Sequence, residues 1–214
     1  MGAERSEELQ VRLVRPGDGA AVVALVAGAH GAAAAAESPL QAAVDVHGGQ
    51  LPLRVDDVPG GLGWCFGAYQ SAGLVGMLYA CAPVMFIRTF PPDQRDGLVR
   101  AVMEIEIIAV DEQFRQQGVA TALLRHAEDH FGELGVRYLV AKVDATAMST
   151  LRWYRHRGYT LAREDEDLLV ATPDGSAGLD AGDSARWRLA VKAPGKTIIR
   201  RGAGVRSRLI LADG

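Results

Sequence analysis

The chain has 214 residues, 49% of them hydrophobic and 23% charged, with a formal net charge of -3. That length and mix support a buried core of ordinary globular size and exclude a disordered or fibrous protein, with one domain as the default. The slightly acidic balance gives no general pull toward nucleic acid or anionic membranes, so neither is expected as a partner.

Near the start, Glu4, Arg5, Glu7 and Glu8 replace the basic-then-apolar pattern of a secretory signal, and a cytoplasmic location is expected. Residues 11–14 alternate like a strand, and Pro16, Gly17 and Asp18 break it, with Asp18 as N-cap of a helix running to Ala29. The weakly polar run 22–36 is too short for a membrane span and is interrupted by Gly28, His30 and Gly31. Residues 30–61 mix an alanine run with Pro39, Gly48, Gly49, Pro52, Pro59 and the pair Gly60 and Gly61, which reads as a mobile, partly helical segment. Two strand-like runs, 64–69 and 74–81, flank turn residues and form a hairpin. Cys65 and Cys81 lie in those apolar runs and read as buried thiols, with no need for a disulfide framework.

The stretch 83–98, with Pro91, Pro92 and Gly97, reads as irregular, and 99–110 as one long Val- and Ile-rich strand. Leu123, Leu124, Ala127, Phe131 and Leu134 recur at helical spacing, ended by Gly135. A strand is expected over 138–143, then a helix over 148–156 capped by Asp144 or Thr146 and closed by Gly158, then a strand from Tyr159. Residues 164–183 begin with four acids and read as a Gly-rich loop, 187–191 as a strand, and the basic tail after 192 as an extension that can close as a hairpin.

Chemistry concentrates in residues 104–124, a strand, a polar loop and a helix start. The turn Arg115, Gln116, Gln117, Gly118, Val119, Ala120, Thr121 places small residues where unpaired N–H groups and the positive helix end can face a phosphate, with Arg115 as a further donor. The pattern Arg115-x-x-Gly118-x-Ala120, after Ile108, Ala109 and Val110 and before Leu123 and Leu124, resembles the coenzyme A signature of the GNAT N-acetyltransferase superfamily. Residues 12–18 resemble that family's first strand and helix entry. Residues 151–159, with Tyr154 before Gly158 and Tyr159, resemble its second block, so the likeness covers residues 9–162 with 187–191 as a final strand. One departure stands seven residues before Tyr154, where the family often has asparagine: Ala147 brings no side-chain amide to the coenzyme. The excursion 164–183 and the tail are also longer than the family minimum.

The resemblance implies an α/β fold with a mixed, mostly antiparallel sheet, flanked by helices and splayed beside its central strand. The expected organisation is a domain over 1–192 and an extension, 193–214, on the same domain. It further implies transfer of an acetyl or related acyl group from acetyl-CoA, or another acyl-CoA, to a primary amine by direct attack in a ternary complex, without a metal. The main chain of Ile108, Ala109 and Val110 would run beside the pantetheine arm and polarise the thioester. Glu104 and Glu106 share one face of the strand and are the candidate bases; Glu104, eleven residues before Arg115, matches the base of some histone-modifying relatives and ranks first, with an exposed edge or a structural ion pair as its competing role and ordered water as another base. Tyr154 is the candidate proton donor to the leaving sulfur, against a plain core role. The expected partner is a small-molecule or peptide amine acceptor, and a homodimer is left open.

His126 and His130 are four apart on a helix, but Ala127 breaks the metalloprotease pattern and a solvated face is the simpler reading. A nucleotide-binding domain is disfavoured because residues 111–117 separate the strand from Gly118, whereas a dinucleotide fingerprint puts its first glycine almost directly after the strand. A non-catalytic acyl-CoA-binding or sensing module of the same fold is the remaining rival.

Overall fold

The computed structural model describes residues 8–33, 39–52, 62–71, 73–172, 175–202 and 207–212. In chain order the elements are β1 (Gln10–Leu13), α1 (Gly19–His30), α2 (Leu40–His47), β2 (Gln50–Pro52), β3 (Leu62–Gln70), β4 (Gly73–Cys81), α3 (Val84–Ile87), α4 (Pro92–Ala101) and β5 (Val102–Val110). A 3-10 turn (Glu112–Phe114) leads to α5 (Val119–Glu133), β6 (Tyr138–Asp144), α6 (Met148–His156), β7 (Thr160–Leu161), β8 (Asp167–Thr172), β9 (Gly175–Leu179), β10 (Trp187–Lys192), β11 (Ile198–Arg201) and β12 (Arg208–Leu211). The chain divides into two units, the first holding residues 1–53, 62–81 and 106–130, the second 54–61, 82–105 and 131–214, so β5 contributes to both.

In the first unit β3 and β4 form the expected hairpin, antiparallel from Trp64↔Ala80 to Gln70↔Gly73. β1 and β2 both pair antiparallel with β3, and β4 neighbours β5. α1 buries Val22, Leu25 and Val26, the three- and four-residue spacing of one helical face, in a core with Val44, Leu51, Cys65, Met77 and Ala109. Asp18 stands at the N-cap position without capping; its carboxylate accepts from Arg15 N at 2.8 Å and from the Tyr69 hydroxyl at 2.5 Å. Both cysteines are buried free thiols, and burial, reinforced by Asp18, pushes the Cys65 thiol up to about 12. Gly76 on β4 lets the start of α5 pack closely, because a Cβ there would stand 2.8 Å from Val119 Cγ1.

The expected segment 30–61 contains α2 and β2; Ala34, Ala35 and Ala36 of its alanine run and its Pro59, Gly60 and Gly61 lie outside the described residues, as do Glu4, Arg5 and Glu7.

In the second unit the early part of β5 pairs parallel with β6, from Val102↔Tyr138 to Glu104↔Val140. That ladder stops there, although β5 itself continues to Val110 and β6 to Asp144. β10 pairs antiparallel with β6 and with β7. A separate sheet has the order β11-β12-β8-β9, in which β12 and β8 are parallel and the other pairs antiparallel. The core joins Ile87, Leu98, Val102, Tyr138, Leu168 and Leu209.

Two sequence expectations change here, and the expected hairpin of the tail is present. Residues 92–101 form α4, so the strand begins at Val102 and not at 99. Pro92 sits in the first helical turn, where its missing N–H costs nothing, Asp93 and Arg100 complement the helix dipole, and Leu98, Val99 and Ala101 are buried. The excursion 164–183 is not a loop: β8 and β9 pair from Leu168↔Leu179 to Thr172↔Gly175, with Leu168 and Val170 fully buried. The tail strands β11 and β12 pair antiparallel, and β12 adds to β8.

Among the described residues no helix is long and apolar enough to cross a membrane.

Candidate active site

At the end of β5 the chain turns sharply. Asp111 accepts from Gln113 N at 2.9 Å and so closes the 3-10 turn. Arg115 then reaches back: Nε donates to Val110 O at 3.2 Å, and a terminal nitrogen donates to Gly28 O at 3.3 Å. The side chain therefore braces the strand end against the end of α1, a positioning role that the sequence reading, which saw only a phosphate donor, did not include. Gln117 is tied down too, its amide donating to Gln113 O at 2.7 Å.

Gln116 has φ 63° and Gly118 has φ 86°, both left-handed. Glycine adopts that conformation freely, whereas Gln116 must be held in it by its surroundings. Among the described residues no carbonyl accepts from the backbone N–H of Gln116, Gln117, Gly118 or Ala120. Residues 115–118 are exposed, a Cβ at Gly118 would meet nothing within 4 Å, and buried Val119 anchors the start of the 15-residue α5. Thr121 follows, half-buried, in the first turn. Free N–H groups, open space and a helix N-terminus together are a setting that favours an anion.

Upstream on the same strand, Ile108 and Val110 are half-buried, Ala109 is buried and Glu106 is exposed. Glu106 is felt by Tyr79, whose phenol is pushed upward first by burial and then by Cys81 and Glu106.

In the second unit Glu104 is buried, and its carboxylate lies 3.4 Å from Lys142 Nζ. The partner was readable only through register: Lys142 is two residues beyond Val140, which faces Glu104. Tyr154 is buried on α6, its ring edge-on to Trp153 at 4.9 Å and to Tyr159 at 5.0 Å. The helix N-cap is Ala147, without a side-chain bond. Asp144 instead holds the turn before it, accepting from Thr146 N at 2.7 Å and Thr146 Oγ1 at 2.6 Å, which keeps its carboxyl below the usual range. His126 packs edge-on to Phe66, and His130 to Phe66 and Trp64, which gives both rings an aromatic setting on α5. Among the described residues no three His, Cys, Asp or Glu stand together as a metal group.

The sheet is mixed, and the helix after β5 opens on an exposed turn with open space at Gly118. The sequence profile of the acetyltransferase (GNAT) family matches residues 53–159, half of the chain, and the chain belongs to that family. Solved structures share the fold at low identity. A GNAT-family protein from Desulfovibrio desulfuricans is 16% identical with TM-score 0.56, over 87% of this chain and 99% of its own. The yncA protein of Salmonella typhimurium, solved with its cofactor acetyl-CoA, is 16% identical with TM-score 0.55, over 86% and 93%. Diaminobutyrate acetyltransferase EctA from Paenibacillus lautus, in complex with L-2,4-diaminobutyric acid and coenzyme A, is 17% identical with TM-score 0.51, over 88% and 96%. No curated protein matches the chain.

Proposed function

We propose that the chain transfers an acetyl or related acyl group from acyl-CoA to the primary amine of a small molecule or peptide. The observation that carries this reading is the turn over residues 115–120, with N–H groups of Gln116, Gln117, Gly118 and Ala120 left without a carbonyl partner among the described residues at the start of α5, in a chain of the GNAT family. Acetyl-CoA, when bound, supplies the thioester. The turn would hold its pyrophosphate, and the open space at Gly118 fits a close approach of phosphate oxygens to the backbone. The yncA and EctA structures, with acetyl-CoA and coenzyme A respectively, support the same ligand here.

For the amine to attack, a base must take its proton within hydrogen-bond reach. Exposed Glu106 meets that condition better than Glu104, which is buried and engaged by Lys142. As the C–N bond forms, the backbone N–H groups around Ile108, Ala109 and Val110 stabilise the developing oxyanion. When the C–S bond breaks, Tyr154 gives its phenolic proton to the sulfur.

Calorimetric titration with acetyl-CoA, free CoA and NAD tests the coenzyme assignment, and thiol release across an amine panel tests turnover. Binding of the CoA species alone, with turnover of one amine class, is the expected result. Binding without thiol release across the panel would leave a coenzyme-binding module, and no binding would end the reading.

A further inference from the structure

The second unit contains a pocket that acyl transfer, as described above, does not use. It is an open cleft of about 740 Å³, and four arginines line it: Arg155 from α6, Arg163 after β7, Arg188 from β10 and Arg200 from β11. Met148, Leu151, Tyr159 and Leu161 supply an apolar wall. The volume falls in the range of small-molecule sites, about 300–1,000 Å³.

The charges do not balance. Arg200 is fixed by Glu166, with Nε at 2.6 Å and a terminal nitrogen at 2.9 Å, and also donates to Leu161 O at 2.9 Å. Arg188 donates to Ser184 O and faces Glu164 at 3.4 Å. Among the described residues, no carboxylate pairs with Arg155 or Arg163. Two of the four arginines are matched by a carboxylate and already held in place, and the other two have no ion-pair partner among the described residues. Planar guanidinium forks suit the oxygens of carboxylate and phosphate. An apolar wall beside them suits the rest of such a molecule.

We propose that this pocket binds a small organic acid, its apolar body against Met148, Leu151 and Tyr159 and its phosphate or carboxylate group between Arg155 and Arg163. None of these residues belongs to the coenzyme turn, so the proposal stands whether or not the chain transfers acyl groups.

The test is calorimetric titration of the full chain with phenyl phosphate and with phenylacetate, and with benzyl alcohol as the neutral control. Saturable binding of at least one acid, with none for the alcohol, is expected; which acid binds more tightly identifies the anion. Arg155→Ala with Arg163→Ala should weaken that binding about tenfold or more, and Arg155→Lys with Arg163→Lys should restore part of it. Both arginines are exposed, so the variants should keep the native thermal midpoint. Gly118→Asp, which alters the coenzyme turn, should leave the affinity unchanged. Equal affinity in the double alanine variant, equal binding of the alcohol, no binding of either acid, or binding abolished only by Gly118→Asp would each overturn the proposal.

Discussion

Lys142 holds its ammonium 3.4 Å from the carboxylate of Glu104, and strand register builds the pair: Glu104 faces Val140 across the parallel ladder, and Lys142 follows two residues later on the same face of β6. This engagement separates the two glutamates that the strand's alternation makes equivalent. Glu106→Gln is expected to lower kcat about a hundredfold with little change in thermal midpoint. Glu104→Gln should instead cost about 1 kcal/mol of stability and change kcat far less. Thiol-release kinetics beside thermal unfolding of each variant checks this; the opposite pattern would return the base to Glu104.

The coenzyme turn makes a prediction that distinguishes backbone conformation from charge. Gly118 has φ 86° and open space at its Cβ position, so Gly118→Ala meets no neighbour but is strained by about 1 kcal/mol. Gly118→Asp adds a negative side chain where a phosphate is expected. Titration with acetyl-CoA should show a modest loss for alanine and loss of binding for aspartate. Unchanged affinity for the aspartate variant would remove the phosphate assignment.

Tyr154 packs its ring edge-on against Trp153 and Tyr159, contacts that phenylalanine keeps. Tyr154→Phe should therefore keep acetyl-CoA affinity and slow turnover by about tenfold to a hundredfold, if the phenol is the acid. Unaltered kcat would make this a core tyrosine and nothing more.

What could be read in the sequence was local. The β3 and β4 hairpin follows from two apolar runs around turn residues, and α5 from Leu123, Leu124, Ala127 and Phe131 on one helical face. The turn before α5 follows from Gly118 before a helix start. What escaped depended on position or distance. Pro91, Pro92 and Gly97 look like breakers, although a proline in the first turn of α4 obstructs nothing. Four acids in a row hid the alternation of Leu168 and Val170, and the partner strand of β8 in the tail lies about forty residues further on, from Leu168 to Leu209. The brace from Arg115 to Gly28 spans 87 residues, and the arginine pocket gathers side chains from four separate segments. Contacts of that kind have no spacing to betray them.

Glu166 ties the second sheet to the tail and makes its stability depend on pH. It is 4% exposed, accepts from Arg200 twice, from Ser207 Oγ at 2.6 Å and from Arg163 N at 2.9 Å. Burial opposes its ionisation, but those donors, Arg200 first, outweigh it and hold the carboxyl below its ordinary value of 4.5. A carboxyl whose folded pKa is depressed binds its proton more readily in the unfolded chain. Its contribution is therefore complete at pH values above 4.5 and is lost as pH falls through the lower folded value. Glu166→Gln should destabilise the chain by about 2–4 kcal/mol at neutral pH, since Arg200 loses its anion and the amide leaves donors unmatched. Denaturant unfolding at neutral pH and again below 4.5 provides the check: the gap between native and variant should narrow on acidification. A gap that stays constant across that range would mean that Glu166 remains neutral in the folded chain, and that Ser207 and Arg200 are held by something other than its charge.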